Sequence, residues 1–228
     1  MDQNIPSGKT ETELFERYAG PAFEKQLGFN NLVGKLNWNV DMKKGEISFG
    51  SQYHFPLQVI GTFSHNASSW LWAWANTGSG LSSQVTQQAL AMQQYGKENG
   101  IGFFTEPEFE YEKNKLQFIA LIASGMFGCS GYYLANYGAG TMVTTITSLG
   151  AETQGEEQPA GIADVTRVLT SNFEFNHREF LKHYLTAKGY KLNISENQIN
   201  GITAGIKITS DFDQLGRLTE IHLDGGQD

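Results

Sequence analysis

A long stretch without charged side chains, from Ile47 to Gly96, constrains the fold of this 228-residue chain more than any other feature. It contains no Asp, Glu, Lys or Arg, and three of the chain's four tryptophans, Trp70, Trp72 and Trp74, stand at alternate positions within it. A spacing of two is the period of a β-strand, so the three indoles are expected to share one face of a sheet. The stretch therefore predicts a large packed core built around strands.

The composition argues against several classes of function. The formal net charge is -8, and the densest basic group is only Lys43-Lys44, so we expect no nucleic-acid binding. The apolar run 116–127 is shorter than the roughly 18 to 20 residues that a membrane-spanning helix needs, so it predicts a buried helix and no membrane association. Cys129 is the only cysteine, and the first residues lack the features of a secretory signal, so a cytoplasmic location is predicted.

Turn residues and alternating hydrophobicity predict a meander of about four antiparallel strands in the first half of the chain. The predicted strands lie at 35–42, 46–50, 54–64 and 70–76, and a later hairpin is predicted at 132–148.

Helical spacing and capping motifs predict three helices that cover this meander. The first follows a capping box at Thr10–Glu13, and Pro21 is expected to kink it or to divide it into two short helices. The second spans about 81 to 96 or 100, and the third starts at a second capping box, Thr105–Glu108.

The composition changes abruptly after residue 150. The predicted organisation is a main α+β domain at 1–150, an acidic linker containing Gly and Pro at 151–161, and a smaller C-terminal αβ unit at 162–228. In this unit we expect two helices, a half-buried strand that alternates from Ile202 to Ile208, and a turn leading to a last strand. The predicted fold class is α+β, an antiparallel β-meander packed against helices.

One pattern of core and turn residues resembles a known family. The string Gly61-Thr-Phe-Ser64 leads into Trp70-Leu-Trp-Ala-Trp-Ala-Asn76, and Tyr95-Gly96 follows after a helix that carries Ala and Gln. This pattern resembles a family of uncharacterised bacterial proteins, catalogued as a domain of unknown function, over roughly residues 10 to 150. The resemblance implies a bacterial, cytoplasmic protein and carries no known active site onto this chain.

The tryptophan strand offers a candidate ligand-binding surface, although its face is also suited to packing under the helices as core. A row of flat rings can wall a groove for a small apolar ligand or for an anchor residue of a protein partner. The candidate binding residues that we assign are Trp70, Trp72, Trp74, His65, Gly78, Gly80 and Ser83.

Two features beside the tryptophans have alternative interpretations. Gly78-x-Gly80-x-x-Ser83 could cradle an anion, or it could be a glycine turn with a serine N-cap. His65 adjoins Ser64, which suggests a nucleophile and base, but a histidine that holds a hydrogen bond in a turn is the expected interpretation.

Other polar groups predict neither a metal site nor a cofactor. The glutamates from Glu106 to Glu112 would form a carboxylate row only if their segment were a strand, and the capping box favours a helix start instead. The turn at Asp211–Gly216 lacks the ligands of a calcium loop, and the histidines lack metal-binding spacing. A buried, inert Cys129 is expected.

The function predicted from the sequence is therefore non-catalytic binding or interaction. The alternative is a small hydrolase, or a small-ligand carrier, with its site beside the tryptophan strand and the Gly78–Gly80 turn. We assign no catalytic residue.

Overall fold

A long first helix, α1 (Glu11–Val33), starts at the predicted capping box. The Thr10 hydroxyl accepts a hydrogen bond from the Glu13 amide at 3.2 Å, and the Glu13 carboxylate accepts one from the Thr10 amide at 2.6 Å. The chain is described here from a computed structural model that covers residues 10–149 and 161–225. The helix continues through Pro21, so the predicted division into two short helices is wrong. Packing of α1 against neighbouring helices offsets the hydrogen bond that proline removes.

The predicted meander is present. Its four strands are β1 (Trp38–Asp41), β2 (Glu46–Phe49), β3 (Tyr53–Ser64) and β4 (Ser69–Trp72). Each strand pairs antiparallel with the next one along the chain, as the short connections require.

Three further strands complete a seven-stranded sheet. They are β5 (Glu108–Glu110), β6 (Gly131–Asn136) and β7 (Gly140–Ile146). The predicted hairpin is β6 and β7, and β7 pairs with β3 while β5 pairs with β4. The 12-residue β3 is thus the central strand, since it pairs with β2, β4 and β7.

The second and third helical regions are present, but each starts later than predicted, the second at Gln87 and not near residue 81, and the third at Leu116 and not at Thr105. The helices are α2 (Gln87–Asn99), α3 (Gly102–Thr105) and α4 (Leu116–Met126). The second capping box does not start a helix, because Thr105 ends α3 and Glu108 begins β5. Pairing with the edge of β4 outweighs the local helix signal.

The chain beyond residue 161 forms two helices and a second sheet. Its elements are α5 (Ile162–Asn172), α6 (His177–Ala187), β8 (Lys191–Ile194), β9 (Gln198–Thr203), β10 (Ile206–Phe212) and β11 (Leu218–Asp224). The sheet order is β11-β10-β9-β8, and all pairs are antiparallel. The α+β class is therefore confirmed.

The single strand predicted from Ile202 to Ile208 is wrong. Ala204 and Gly205 have φ values of +42° and +83°, which form a two-residue hairpin turn between β9 and β10. Ile202 is exposed on one side of this turn, whereas Ile208 is buried on the other.

Helix α1 joins the two sheets through a common core. One hydrophobic cluster contains Leu14 of α1, Trp72 of β4 and Ile208 of β10. The predicted linker lies almost wholly outside the described residues, so the division into 1–150 and 162–228 remains a prediction.

The contact between α1 and α6 depends on a glycine. A Cβ atom added at Gly20 would lie 2.7 Å from Cδ2 of Tyr184, whose side chain is fully buried. The Tyr184 hydroxyl donates to the Glu24 carboxylate at 3.0 Å, which fixes the ring in place.

We expect Gly20→Ala to destabilise the protein by about 1 to 3 kcal/mol, because the added methyl group overpacks this contact. Intrinsic helix propensity alone would give the opposite sign. Urea denaturation measures the change, and Gly102→Ala is the control because no atom lies within 4 Å of its added Cβ. A stabilised Gly20→Ala variant would contradict the α1–α6 contact.

Candidate functional site

Trp70 and Trp72 are core residues and do not line a surface. Both side chains have an exposed fraction of 0%, and their rings meet edge to face with centroids 5.3 Å apart. Phe103 and Phe104 pack edge-on against Trp72. The assignment of these two tryptophans to a ligand site is therefore corrected, since the helical region after β4 covers them, and the core interpretation fits.

Trp74 does not share their face. Strand β4 ends at Trp72, and the chain then turns, with the Ala75 amide donating to the Trp72 carbonyl at 3.0 Å. Trp74 is half-buried between two hydrophobic clusters. The alternating tryptophans in the sequence therefore extend to Trp74, two residues beyond the end of the strand at Trp72.

The glycine turn lies apart from His65. Gly78 and Gly80 follow β4, whereas His65 precedes it, so they flank opposite ends of this strand. Gly78, Gly80 and Ser83 are all exposed, and Ser83 belongs to a short 3-10 turn and does not cap α2, which begins at Gln87. The structure therefore does not bring the predicted site residues together.

His65 is held by both ring nitrogens. Its Nδ1 donates to the Gly138 carbonyl at 2.9 Å, because a carbonyl only accepts, and in the neutral ring Nε2 then accepts from the Thr141 hydroxyl, also at 2.9 Å. The Ser64 hydroxyl instead accepts from the Ala67 amide at 3.2 Å. The expected hydrogen-bonded turn histidine matches this geometry, and no Ser–His pair forms.

An open cleft of about 920 Å³ adjoins His65. It lies where the β3–β4 turn approaches the segment after β5. Its lining residues are Phe63, His65, Ser68, Tyr111, Glu112, Lys113 and Asn114. The Phe63 and His65 rings lie 5.8 Å apart and are tilted against each other, so they form an aromatic part of the wall.

One backbone and one side-chain hydrogen bond hold the two sides of this cleft together. The Tyr111 amide donates to the Ser68 carbonyl at 2.9 Å, and the Ser69 hydroxyl donates to Glu108 at 2.9 Å. Ser68 has φ of +50°, one of two positive values among the described non-glycine residues. Strained backbone of this kind clusters at ligand sites, which makes the cleft a candidate site.

Tyr111 connects the cleft to the start of α1. Its hydroxyl donates to the Glu11 carboxylate and lies 3.2 Å from the Lys115 carbonyl oxygen. Burial is the main cause that raises the pKa of Glu11, and the bond from Tyr111 partly opposes it. Burial and the Glu11 charge both raise the pKa of Tyr111, so the phenol stays protonated as a donor.

Sequence reasoning missed most of the cleft, although a signal was present. From Glu108 to Glu112, glutamates alternate with Phe109 and Tyr111, which is the strand period. The two aromatic rings face inward, with centroids 5.7 Å apart, and the glutamates are exposed. The predicted helix start is wrong for this reason.

The remaining candidate groups form no metal or thiol site. Within 10–149 and 161–225, no group of three or more His, Cys, Asp and Glu side chains could hold a metal ion. Cys129 is buried, its sulfur accepts from Gln88 Nε2 at 3.3 Å, and burial raises the pKa of the thiol. This matches the expectation of an inert cysteine.

A comparison with known families identifies the family of this chain. A family model described as a family of unknown function (DUF6882) matches residues 12–149. The chain belongs to this family. The matched range contains the seven-stranded sheet and every lining residue of the cleft. No curated protein and no solved structure matches the chain. Among the helices described here, none combines the length and apolar character needed to cross a bilayer.

We expect Trp72→Ala to cost about 3 to 5 kcal/mol of folding free energy, because it removes a fully buried indole from the aromatic cluster. Chemical denaturation followed by circular dichroism measures the loss. Trp38→Ala, at a half-buried position in β1, is the control and should cost less. If Trp72→Ala leaves the stability unchanged, the tryptophan face is not core and is again a candidate binding surface.

We expect Glu11→Gln to alter the dependence of stability on pH. Because the pKa of Glu11 is raised above its ordinary value of 4.5, the folded state binds the proton more tightly. This stabilisation is complete below the unfolded pKa and is lost as pH rises through the folded pKa. Relative to the Gln variant, the native protein should therefore lose stability as pH rises above 4.5, the ordinary pKa of a glutamate.

Urea denaturation at several pH values tests this change. Glu106→Gln is the matched control, since Glu106 is exposed to solvent in the segment before β5. Parallel pH profiles for the native protein and Glu11→Gln would contradict the burial of this carboxylate.

Proposed function

We propose that the protein is a non-catalytic binding protein whose site is the cleft beside His65. The observation that carries the proposal is the combination of an aromatic wall with polar groups in one concave surface of about 920 Å³. Small-molecule sites commonly have this composition and volumes of about 300 to 1,000 Å³. The tryptophans and the Gly78–Gly80 turn are not part of this proposed site.

The lining favours a small ligand with a flat apolar ring and a hydrogen-bond acceptor. His65 and Tyr111 supply ring surfaces, and Phe63, which is only 3% exposed, packs behind them. Lys113 and Asn114 supply donors, and Lys113 forms no ion pair within the described part of the chain. The neighbouring Lys115 is instead paired with Glu112 at 3.1 Å, so Lys113 is the cation that a ligand acceptor would meet.

The geometry supports binding over hydrolysis. Both nitrogens of His65 are already engaged, so this imidazole has no free acceptor for a nucleophile's proton. Of the two acids at the cleft, Glu112 is paired with Lys115 at 3.1 Å, and Glu11, behind Tyr111, accepts the Tyr111 hydroxyl. The hydrolase remains the alternative function, and turnover of a bound ligand would favour it.

We extend the proposal to a protein of the bacterial cytoplasm. The bacterial assignment comes from the resemblance in sequence. The cytoplasmic assignment is supported by the free thiol of Cys129, which is compatible with a reducing compartment.

A fragment screen followed by amide chemical shifts tests the site. We expect ring-bearing fragments with a carboxylate or carbonyl to shift the amides of Ser68, Glu112 and Asn114. Lys113→Ala should weaken their binding several-fold, because it removes the unpaired donor. Asn114→Trp should block binding, since the added indole would occupy the cleft.

Lys97→Ala is the matched control, because Lys97 lies in α2 and outside the cleft lining. It should leave fragment binding unchanged. Shifts that avoid the cleft, or equal losses in Lys97→Ala and Lys113→Ala, would contradict the proposed site.

A further inference from the structure

The outer edges of strands β6 and β11 differ in how their backbone groups are hydrogen-bonded. At β6, the side chain of the buried Gln26 accepts the Tyr132 amide at 2.6 Å and donates to the Tyr132 carbonyl at 3.1 Å. The side-chain amide thus takes the place of a neighbouring strand. At β11, two side chains among the described residues contact the backbone: Arg167 Nη2 donates to the Ile221 carbonyl at 3.3 Å, and His177 Nδ1 accepts from the Leu218 amide at 3.1 Å.

Strand β11 is the longest strand that pairs on one side only within the described residues. It has seven residues, and its register contains β10 alone. Unpaired edges of this length are templates for pairing with another chain. Thr219 is skipped in the register with β10, so the regular part of the edge runs from Glu220 to Asp224.

The hairpin turn determines which backbone groups of β11 face outward. The two-residue turn 204–205 places the hydrogen-bonded pairs of β9 and β10 at even-numbered residues of β10. Odd-numbered residues, among them Thr209, therefore bond to β11. His222 lies opposite Thr209 and bonds inward, so Ile221 and Leu223 direct their amides and carbonyls away from the sheet. The bond from Arg167 to the Ile221 carbonyl agrees.

We propose that β11 pairs antiparallel with β11 of a second copy of this chain, about a two-fold axis at Ile221. The two Ile221 residues then exchange a pair of backbone hydrogen bonds, in which each carbonyl accepts the other chain's amide beside or in place of Arg167. The two four-stranded sheets become one continuous sheet of eight strands. A two-fold axis places the same surface on both copies, as closed dimers require.

Charge complementarity selects a second copy as the occupant. In this register, Glu220 of each chain lies opposite His222 of the other, twice across the axis. Both side chains are exposed on the outer face, and within one chain they already lie 2.7 Å apart. Positions 220 and 222 form the closely spaced, non-hydrogen-bonded type of pair, where a carboxylate can hydrogen-bond to an imidazole and attracts it most strongly when the ring is protonated.

Apolar groups beside the edge support the same partner. Leu223 is 46% exposed and Val168, which follows Arg167 on α5, is 42% exposed. Leu223 lies on the strand that would pair, and α5, which carries Val168, contacts that strand through Arg167. The contact is small beside those of obligate dimers, so the dimer is expected to depend on protein concentration.

Sedimentation equilibrium of the full chain up to about 0.5 mM, in the range of weak protein association, tests the proposal. We expect a monomer–dimer equilibrium. His222→Glu should weaken the dimer by about tenfold or more, because it sets like charges opposite each other twice. The exchanged variant Glu220→His with His222→Glu restores the complementary pairs and should recover the dimer.

Asn193→Glu is the matched control, since Asn193 is exposed on β8 at the other edge of the same sheet. It should leave the dimer unchanged. Hydrogen exchange gives a second readout, in which the amides of Ile221 and Leu223 become protected as concentration rises. A chain that is monomeric throughout, a dimer equally affected by Asn193→Glu, or exchange at Ile221 that is independent of concentration would overturn the proposal.

Discussion

The close approach of the Trp70 indole to the backbone of Gly61 is the contact on which the first sheet depends. A Cβ atom at Gly61 would lie 2.6 Å from the Leu71 carbonyl oxygen and 2.8 Å from Cε2 of Trp70, so only glycine fits. This contact lets β4 lie against the central strand β3 while its large rings point into the core. The opposite neighbour of β4 is β5, which carries the chain to Tyr111 and the cleft.

The aromatic core has a polar cost that its packing must offset. The indole nitrogens of Trp70, Trp72 and Trp74 have no hydrogen-bond acceptor among the described residues. Each unsatisfied buried group costs about 1 to 3 kcal/mol, whereas burying a ring of this size contributes comparable or larger amounts. The cluster is therefore stabilised by area and ring contacts, which explains why it is placed deep inside and not at a surface.

The sequence predicted elements whose signals are local, and it failed where pairing at a distance decides the structure. The capping box at Thr10, the strand period at Trp70 and Trp72, and the turn before β11 are local signals, and all are present. The strand at Glu108 exists because Phe109 pairs with Trp70, a contact between residues far apart in the chain. The turn at Ala204 was also not predicted, because alanine rarely adopts a positive φ.

The cleft was only partly predictable for the same reason. His65 was assigned as a candidate binding residue because it is close in sequence to the tryptophans, and it lines the cleft. Its neighbours there come from 111–114, which a helix would have directed elsewhere. The cleft forms between the β3–β4 turn and residues 111–114, and their relative position depends on the register in which β4 pairs with β5. That register cannot be read from either segment alone.

The two surfaces differ in how they relate to the family. All residues that line the cleft fall within 12–149, the range of the family model, whereas β11 lies beyond it. The proposed binding in the cleft therefore uses residues within the family range, whereas the proposed pairing through β11 requires the second sheet. The two are still mechanically linked, because α1 carries Glu11 beneath the cleft at one end and packs Gly20 against Tyr184 of α6 further along. A shift of α1 would therefore move the Glu11 partner of Tyr111 at the cleft and also alter the packing of α6 over the second sheet.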